Sequence, residues 1–187
     1  MNLRSFIIAA LVCMGGISCG STDVREIVTG IKNIELLEPL QDTGVRHILA
    51  KSSPKIVTFI DGRCNVCLDD FRQWYILRSD SAFCRHDIDI IYYVGTPNAQ
   101  SIDMWTHRYK IRDFVIDPDR LFLRKNKLKL DDKIFHTFLL DRENRVVLVG
   151  SPIGNPRMWE FYKTTIARLV ENGGVLPCGE TATTASE

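Results

Sequence analysis

The stretch 56-IVTFIDGRCNVCLDDF-71 constrains this chain more than any other. Ile56-Val57-Thr58-Phe59-Ile60 is rich in β-branched and aromatic residues and reads as a buried strand. Downstream, Cys67/Leu68, Phe71, Trp74/Tyr75 and Leu77 recur at helical spacing. Asp69 and Asp70 fall in the first turn, where carboxylates suit the helix dipole. Cys64-Asn-Val-Cys67 therefore lies at a strand-to-helix junction. Three chemistries fit such a pair: thiol redox work, half of a metal site, or a structural clip.

The rest of the chain alternates strands and helices. Ile88–Val94 is a second strand, closed by Gly95-Thr96-Pro97. Residues 99–109 read as a helix and Phe114-Val115-Ile116 as a short strand stopped by Asp117-Pro118-Asp119. Residues 119–128 read as another helix. Thr137–Asp141 and Val146–Gly150 form a hairpin across the polar turn 142–145. Pro156 opens a last helix with Trp159, Tyr162, Ile166 and Val170 on one face, ending at Gly173-Gly174. This order predicts an α/β fold: a central mixed sheet flanked by helices, with a terminal hairpin and a C-terminal helix.

The ends of the chain speak to location. Arg4 is the only charge before Cys19, and the apolar run Phe6–Ile17 is short for a bilayer span but fits a signal segment. Residues 1–18 thus read as a signal peptide and 19–30 as a polar tether. Residues 31–53 read as an N-terminal extension with a short strand and a helical turn. Residues 54–172 read as the main domain, and 173–187 as a disordered tail short of apolar residues. Without residues 1–18 the chain keeps 23 basic and 23 acidic residues. No basic excess points to nucleic acid, and no polybasic run to anionic lipid.

The segment Gly16-Ile17-Ser18-Cys19 resembles the lipobox of bacterial lipoproteins, with Gly16 where leucine is usual. That resemblance implies lipidation at Cys19, and Gly20 after it favours the outer membrane over the inner. The implied location is the cell envelope, facing the periplasm, an oxidising compartment that permits disulfides.

From residue 54 to about 172 the chain resembles the thioredoxin fold, and more closely the membrane-tethered, TlpA-like thiol–disulfide oxidoreductases. The carriers are the strand before Cys64-Asn-Val-Cys67, the acid Asp70, the turn 115-VIDPD-119 and the hairpin 137-TFLLDRENRVV-147. Two positions depart from the family. Asp61-Gly62-Arg63 replaces an aromatic lead-in ending in Trp. Phe135, in Ile134-Phe135-His136-Thr137, stands in register with a cis-proline that faces the dithiol. A cis bond before a non-proline residue costs about 2.5–4 kcal/mol, so a trans bond is expected here. Thr58 stands where thioredoxin keeps a buried acid.

The resemblance implies a Cys64 nucleophile and a Cys67 resolving thiol, Cys67 being the more buried. The helix N-terminus and the neighbouring Arg63 favour a Cys64 thiolate, against Asp61, Asp69 and Asp70. Asp70 reads either as a proton relay for Cys67 or as a helix-stabilising carboxylate. Arg63, Phe135 and His136 are placed facing the substrate. For Arg63 the other reading is a solvated turn residue, and for His136 an ordinary strand-start residue.

No cofactor is expected beyond the dithiol itself. A zinc site wants four ligands, and there is no second CxxC; His47, His86, His107 and His136 are scattered singly. A purely structural Cys64–Cys67 bond would close a very short loop and remove little unfolded-state entropy. Cys84 and Cys178 either pair and pin the tail to the body, or stand apart. The expected partners are envelope protein thiols or disulfides and a redox partner protein, with the membrane reached through the lipid. The alternative from another class is a non-catalytic thioredoxin-fold lipoprotein that binds a protein or ligand. No peroxidase-type nucleophile loop is present.

Overall fold

The computed structural model describes residues 33–39, 44–86 and 88–176. Cys19, Cys178 and the signal and tether segments lie outside those residues. A five-stranded mixed sheet forms the centre, in the order β3-β2-β1-β4-β5. Its strands are β1 (Lys55–Ile60), β2 (Asp89–Val94), β3 (Phe114–Ile116), β4 (Thr137–Leu140) and β5 (Val146–Val149). β1 and β2 pair in parallel, as do β2 and β3. β4 runs antiparallel to both β1 and β5.

The apolar runs become strands buried on both faces. Every residue of β1 is buried, and the two-residue alternation sorts them into two cores. Ile56 and Ile60 join Phe71, Trp74, Tyr92, Leu139 and Tyr162 on one face. Val57 and Phe59 join Val45, Ile91, Tyr93, Phe122 and Phe138 on the other. The dithiol belongs to the first core, since Cys67 and Leu68 pack into it.

The helices follow in chain order: α1 (Val45–Ala50), α2 (Asn65–Leu68), α3 (Asp70–Arg78), α4 (Ser81–His86), α5 (Asp103–Arg108), α6 (Leu121–Lys125) and α7 (Pro156–Glu171). The helix expected after the cysteines is two pieces, α2 and α3, meeting at Asp69, whose backbone stays in the right-handed helical region. α4 carries no strong periodicity and was not foreseen. A 3₁₀ turn, Ala99–Ile102, precedes α5.

α7 starts as Pro156 dictates, with the Asn155 side chain accepting from the Met158 N–H at 3.0 Å. Its buried face holds Tyr162, Thr165, Ile166 and Leu169. Val170, expected on that face, is instead exposed. It lies one residue past Leu169, about 100° further round at 3.6 residues per turn. Residues 173–176 are not a free tail. The Gly174 carbonyl accepts from the Arg142 N–H at 2.9 Å, and Leu176 packs against the first core.

Candidate active site

Cys64 and Cys67 sit at the carboxyl end of β1. Their sulfurs are in disulfide contact, with Cα atoms 5.2 Å apart. Cys64 caps α2 from an extended backbone, and its sulfur accepts the Cys67 N–H at 3.3 Å. That donor favours negative charge on Cys64 Sγ once the disulfide opens. Cys67 is only 7% exposed, Cys64 is half-buried, and Val66 between them is 81% exposed. An incoming sulfur therefore reaches Cys64 more readily than Cys67.

The lead-in loop is strapped to the turn after β3. The Arg63 Nη2 donates to the Pro118 carbonyl at 3.0 Å, and Arg120 Nη2 lies 3.5 Å from Asp61 Oδ2. The buried Asp117 carboxylate holds that turn by accepting the N–H groups of Leu121 and Phe122 at 2.7 and 2.9 Å. Gly62 passes so close to β2 that an added Cβ would lie 2.8 Å from Thr96 Cβ and 3.0 Å from Val94 Cγ1. Arg63 is exposed, is absent from the lining of the cavity beside the dithiol, and directs its guanidinium to the turn.

That cavity has a volume of about 400 Å³. Cys64, Cys67, Asp70, Lys133 and His136 line it, together with Thr58 and Thr137. The two threonine hydroxyls are hydrogen-bonded to each other at 2.8 Å and buried, so an alcohol pair forms part of the wall.

The two adjacent acids of α3's start differ in role. Asp69 accepts from Arg72 Nε and Nη2 at 2.7 and 2.8 Å and from Gln73 Nε2 at 3.2 Å. Those hydrogen bonds, Arg72's first, hold its carboxyl below the usual range. Asp70 turns into the cavity. Burial pushes its carboxyl up to about 6, against the pull of the Lys133 charge and with a further push from Asp69.

Lys133 was missed by sequence reasoning. It opens a 3₁₀ turn, Lys133–His136, that leads into β4. Its Nζ donates to Cys67 Sγ at 3.4 Å. A lysine separated from its cysteine by 66 residues carries no local signal; only the pairing of β1 with β4 brings the two together. Phe135, on the same turn, is half-buried and does not line the cavity. Its N–H donates to the Asp132 carbonyl at 3.0 Å.

His136 is buried and lines the cavity. Its Nε2 lies 3.0 Å from the Lys129 carbonyl, which can only accept, so Nε2 carries the proton. The ring meets Phe59 edge-on at 5.4 Å. Burial pushes its pKa below the ordinary value, leaving it neutral at pH 7.

Cys84 is exposed and its sulfur donates to the Arg78 carbonyl at 3.2 Å. A Cys84–Cys178 pairing lies outside the described residues, because Cys178 does. Among the described residues, no three His, Cys, Asp or Glu side chains are grouped to hold a metal ion. No described helix is long and apolar enough to cross a membrane.

No family model matches the chain, and no curated protein matches it. Solved structures do. A SCO1/SenC family lipoprotein from Bacillus anthracis matches with TM-score 0.50 and 14% identity, over 64% of this chain and 83% of that one. A thioredoxin-family thiol:disulfide interchange protein from Chlorobium tepidum matches with TM-score 0.47 and 12% identity, over 73% and 94%. The thioredoxin domain of a thiol-disulfide oxidoreductase from Bacteroides vulgatus matches with TM-score 0.47 and 12% identity, over 62% and 81%. At 14% identity the likeness to the SCO1/SenC family lipoprotein is one of fold. The chain thus has a thioredoxin-like fold, a mixed five-stranded sheet flanked by helices with a cysteine pair at the end of its central strand.

Proposed function

We propose that this protein is a thiol–disulfide oxidoreductase acting through Cys64 and Cys67 in the bacterial envelope, tethered by a lipid on Cys19. The observation that carries the reading is the pair itself: two sulfurs in disulfide contact at the wall of a cavity, one half-exposed and one buried. A structural clip has no need of an open approach to one of its sulfurs.

The chemistry follows from that asymmetry. A substrate thiolate attacks Cys64 Sγ, and the Cys64–Cys67 bond breaks with Cys67 leaving as thiolate. A second substrate thiol, deprotonated, then attacks the mixed disulfide and releases Cys64. The substrate dithiol loses two electrons and two protons, and the protein disulfide gains them. The reverse course reduces a substrate disulfide through Cys64 attack and Cys67 resolution. Asp70, with its raised pKa beside Cys67, exchanges the proton that Cys67 gains or loses.

No cofactor is required beyond the two cysteines. The partners are envelope protein thiols or disulfides and a redox protein that resets the pair. The test is reduction of a small test disulfide by the wild-type chain and by Cys64→Ser. Turnover by wild type alone supports the reading. No turnover by either leaves a thioredoxin-fold binding lipoprotein as the account.

A further inference from the structure

We infer that Lys133 is a catalytic residue of the dithiol site: its ammonium holds the charge of the Cys67 thiolate whenever the Cys64–Cys67 disulfide is open. The inference rests on the thiol-exchange reading above and names the cation that reading lacks.

Lys133 Nζ is 3.4 Å from Cys67 Sγ while the disulfide is closed, so the cation is in place before the bond breaks. Cys67 is the sulfur that must leave when a thiolate attacks Cys64, and it is the buried one. A buried sulfur has little water to solvate its new charge, which makes one positioned ammonium count. Arg63, the cation nearest to the motif in sequence, is committed to the Pro118 carbonyl.

The other ionisable groups around the cavity are Asp61, Asp70, Asp131 and His136. The three carboxylates oppose a thiolate. His136 donates its Nε2–H to the Lys129 carbonyl, and its pKa lies below the ordinary value. Lys133 is thus the cation of the cavity wall. It also acts on Asp70, drawing its pKa down against burial. One lysine therefore biases both groups between which the Cys67 proton moves.

In the opening step the Cys64–Cys67 σ bond breaks and its electron pair stays on Cys67 Sγ. Lys133 keeps its proton and pairs with that anion, and protonation follows from Asp70 or from water. In the resolving step the same thiolate attacks Cys64 Sγ, and the substrate sulfur leaves with the electron pair.

The experiment uses the full chain carrying Cys64→Ser, so that Cys67 is a thiol throughout. Iodoacetamide alkylation of the Cys67 peptide is followed by mass spectrometry as a function of pH. Lys133→Met is expected to raise the midpoint by about one unit, a tenfold loss of acidity, and Lys133→Arg to hold it near the parent value. With both cysteines present, Lys133→Met is expected to slow opening of the disulfide by dithiothreitol several-fold, because a more basic sulfur leaves more slowly. An unchanged Cys67 midpoint in Lys133→Met overturns the inference. So does an equal shift in Lys133→Arg, which would assign the effect to the shape of the turn. Failure of the wild type to turn over a test disulfide would sink the oxidoreductase reading while leaving the Cys67 midpoint to decide the role of Lys133.

Discussion

Two loops flank the dithiol, and they do opposite things. The lead-in loop, 61–63, adjoins the cysteines in sequence and supplies a cation, yet its groups hold the loop down. Arg63 reaches Pro118, Asp61 pairs with Arg120, and Gly62 is pressed on Val94 and Thr96. The turn 133–136 is remote in sequence, yet it puts Lys133 on Cys67 and a neutral imidazole on the cavity wall. Ile134 on that turn is 61% exposed. One loop fixes where the sulfurs are, and the other sets the charge they meet. Adjacency along the chain is thus a poor guide to which cation touches the sulfurs, since the Arg63 guanidinium is turned to the Pro118 carbonyl while Lys133 reaches Cys67.

The comparison can be broken at several points. The largest effect is expected from Cys64→Ser, which should bring disulfide turnover to background, whereas Cys67→Ser should accumulate mixed disulfides visible by mass spectrometry. Next comes Gly62→Ala. Its Cβ has no room against β2, and overpacking of that kind costs about 1–3 kcal/mol, read as a lower urea midpoint. A neutral Gly62→Ala would mean that the lead-in loop is not held as described.

Asp70→Asn should act in the other direction. A carboxyl whose folded pKa is raised loses stability as pH climbs from its unfolded value, near 4, through about 6. The amide avoids that loss. Discounted for partial solvent access, the gain is about 1–2 kcal/mol at pH 7 and vanishes at pH 4 and below. Urea melts at the two pH values check it; a gain that persists at pH 4 would point to packing instead of charge. The smallest effect is expected from Arg63→Ala: a change within about 1 kcal/mol in stability, for one exposed hydrogen bond, and no movement of the Cys67 alkylation midpoint that Lys133→Met shifts.

How much of this was legible beforehand follows the range of the interactions. β3 and the two hairpin strands are short β-rich runs bounded by turn residues, and they form where periodicity and breakers place them. The parallel–antiparallel mixture follows from the hairpin at the end of a strand–helix alternation. The greater burial of Cys67 also follows from local geometry, since it is one turn into the helix. α4 escaped because it depends on which neighbour covers its face, as Trp159 stacks on Phe83 at 5.0 Å. Lys133 escaped for a stronger reason. Its importance rests on a contact between strands far apart in sequence, and lysines look alike until a fold chooses one. The direction of Arg63 was hidden likewise, because the Pro118 carbonyl that captures it lies 55 residues on.

The central claim is that Cys64 and Cys67 form a working redox pair, and a redox titration tests it most directly. The full chain would be equilibrated in glutathione buffers of graded potential, with alkylation and mass spectrometry reporting Cys64 and Cys67. The account predicts a midpoint of about −120 to −270 mV, the range of exchange catalysts. A pair that stays oxidised well below about −300 mV would behave as a structural disulfide and contradict it.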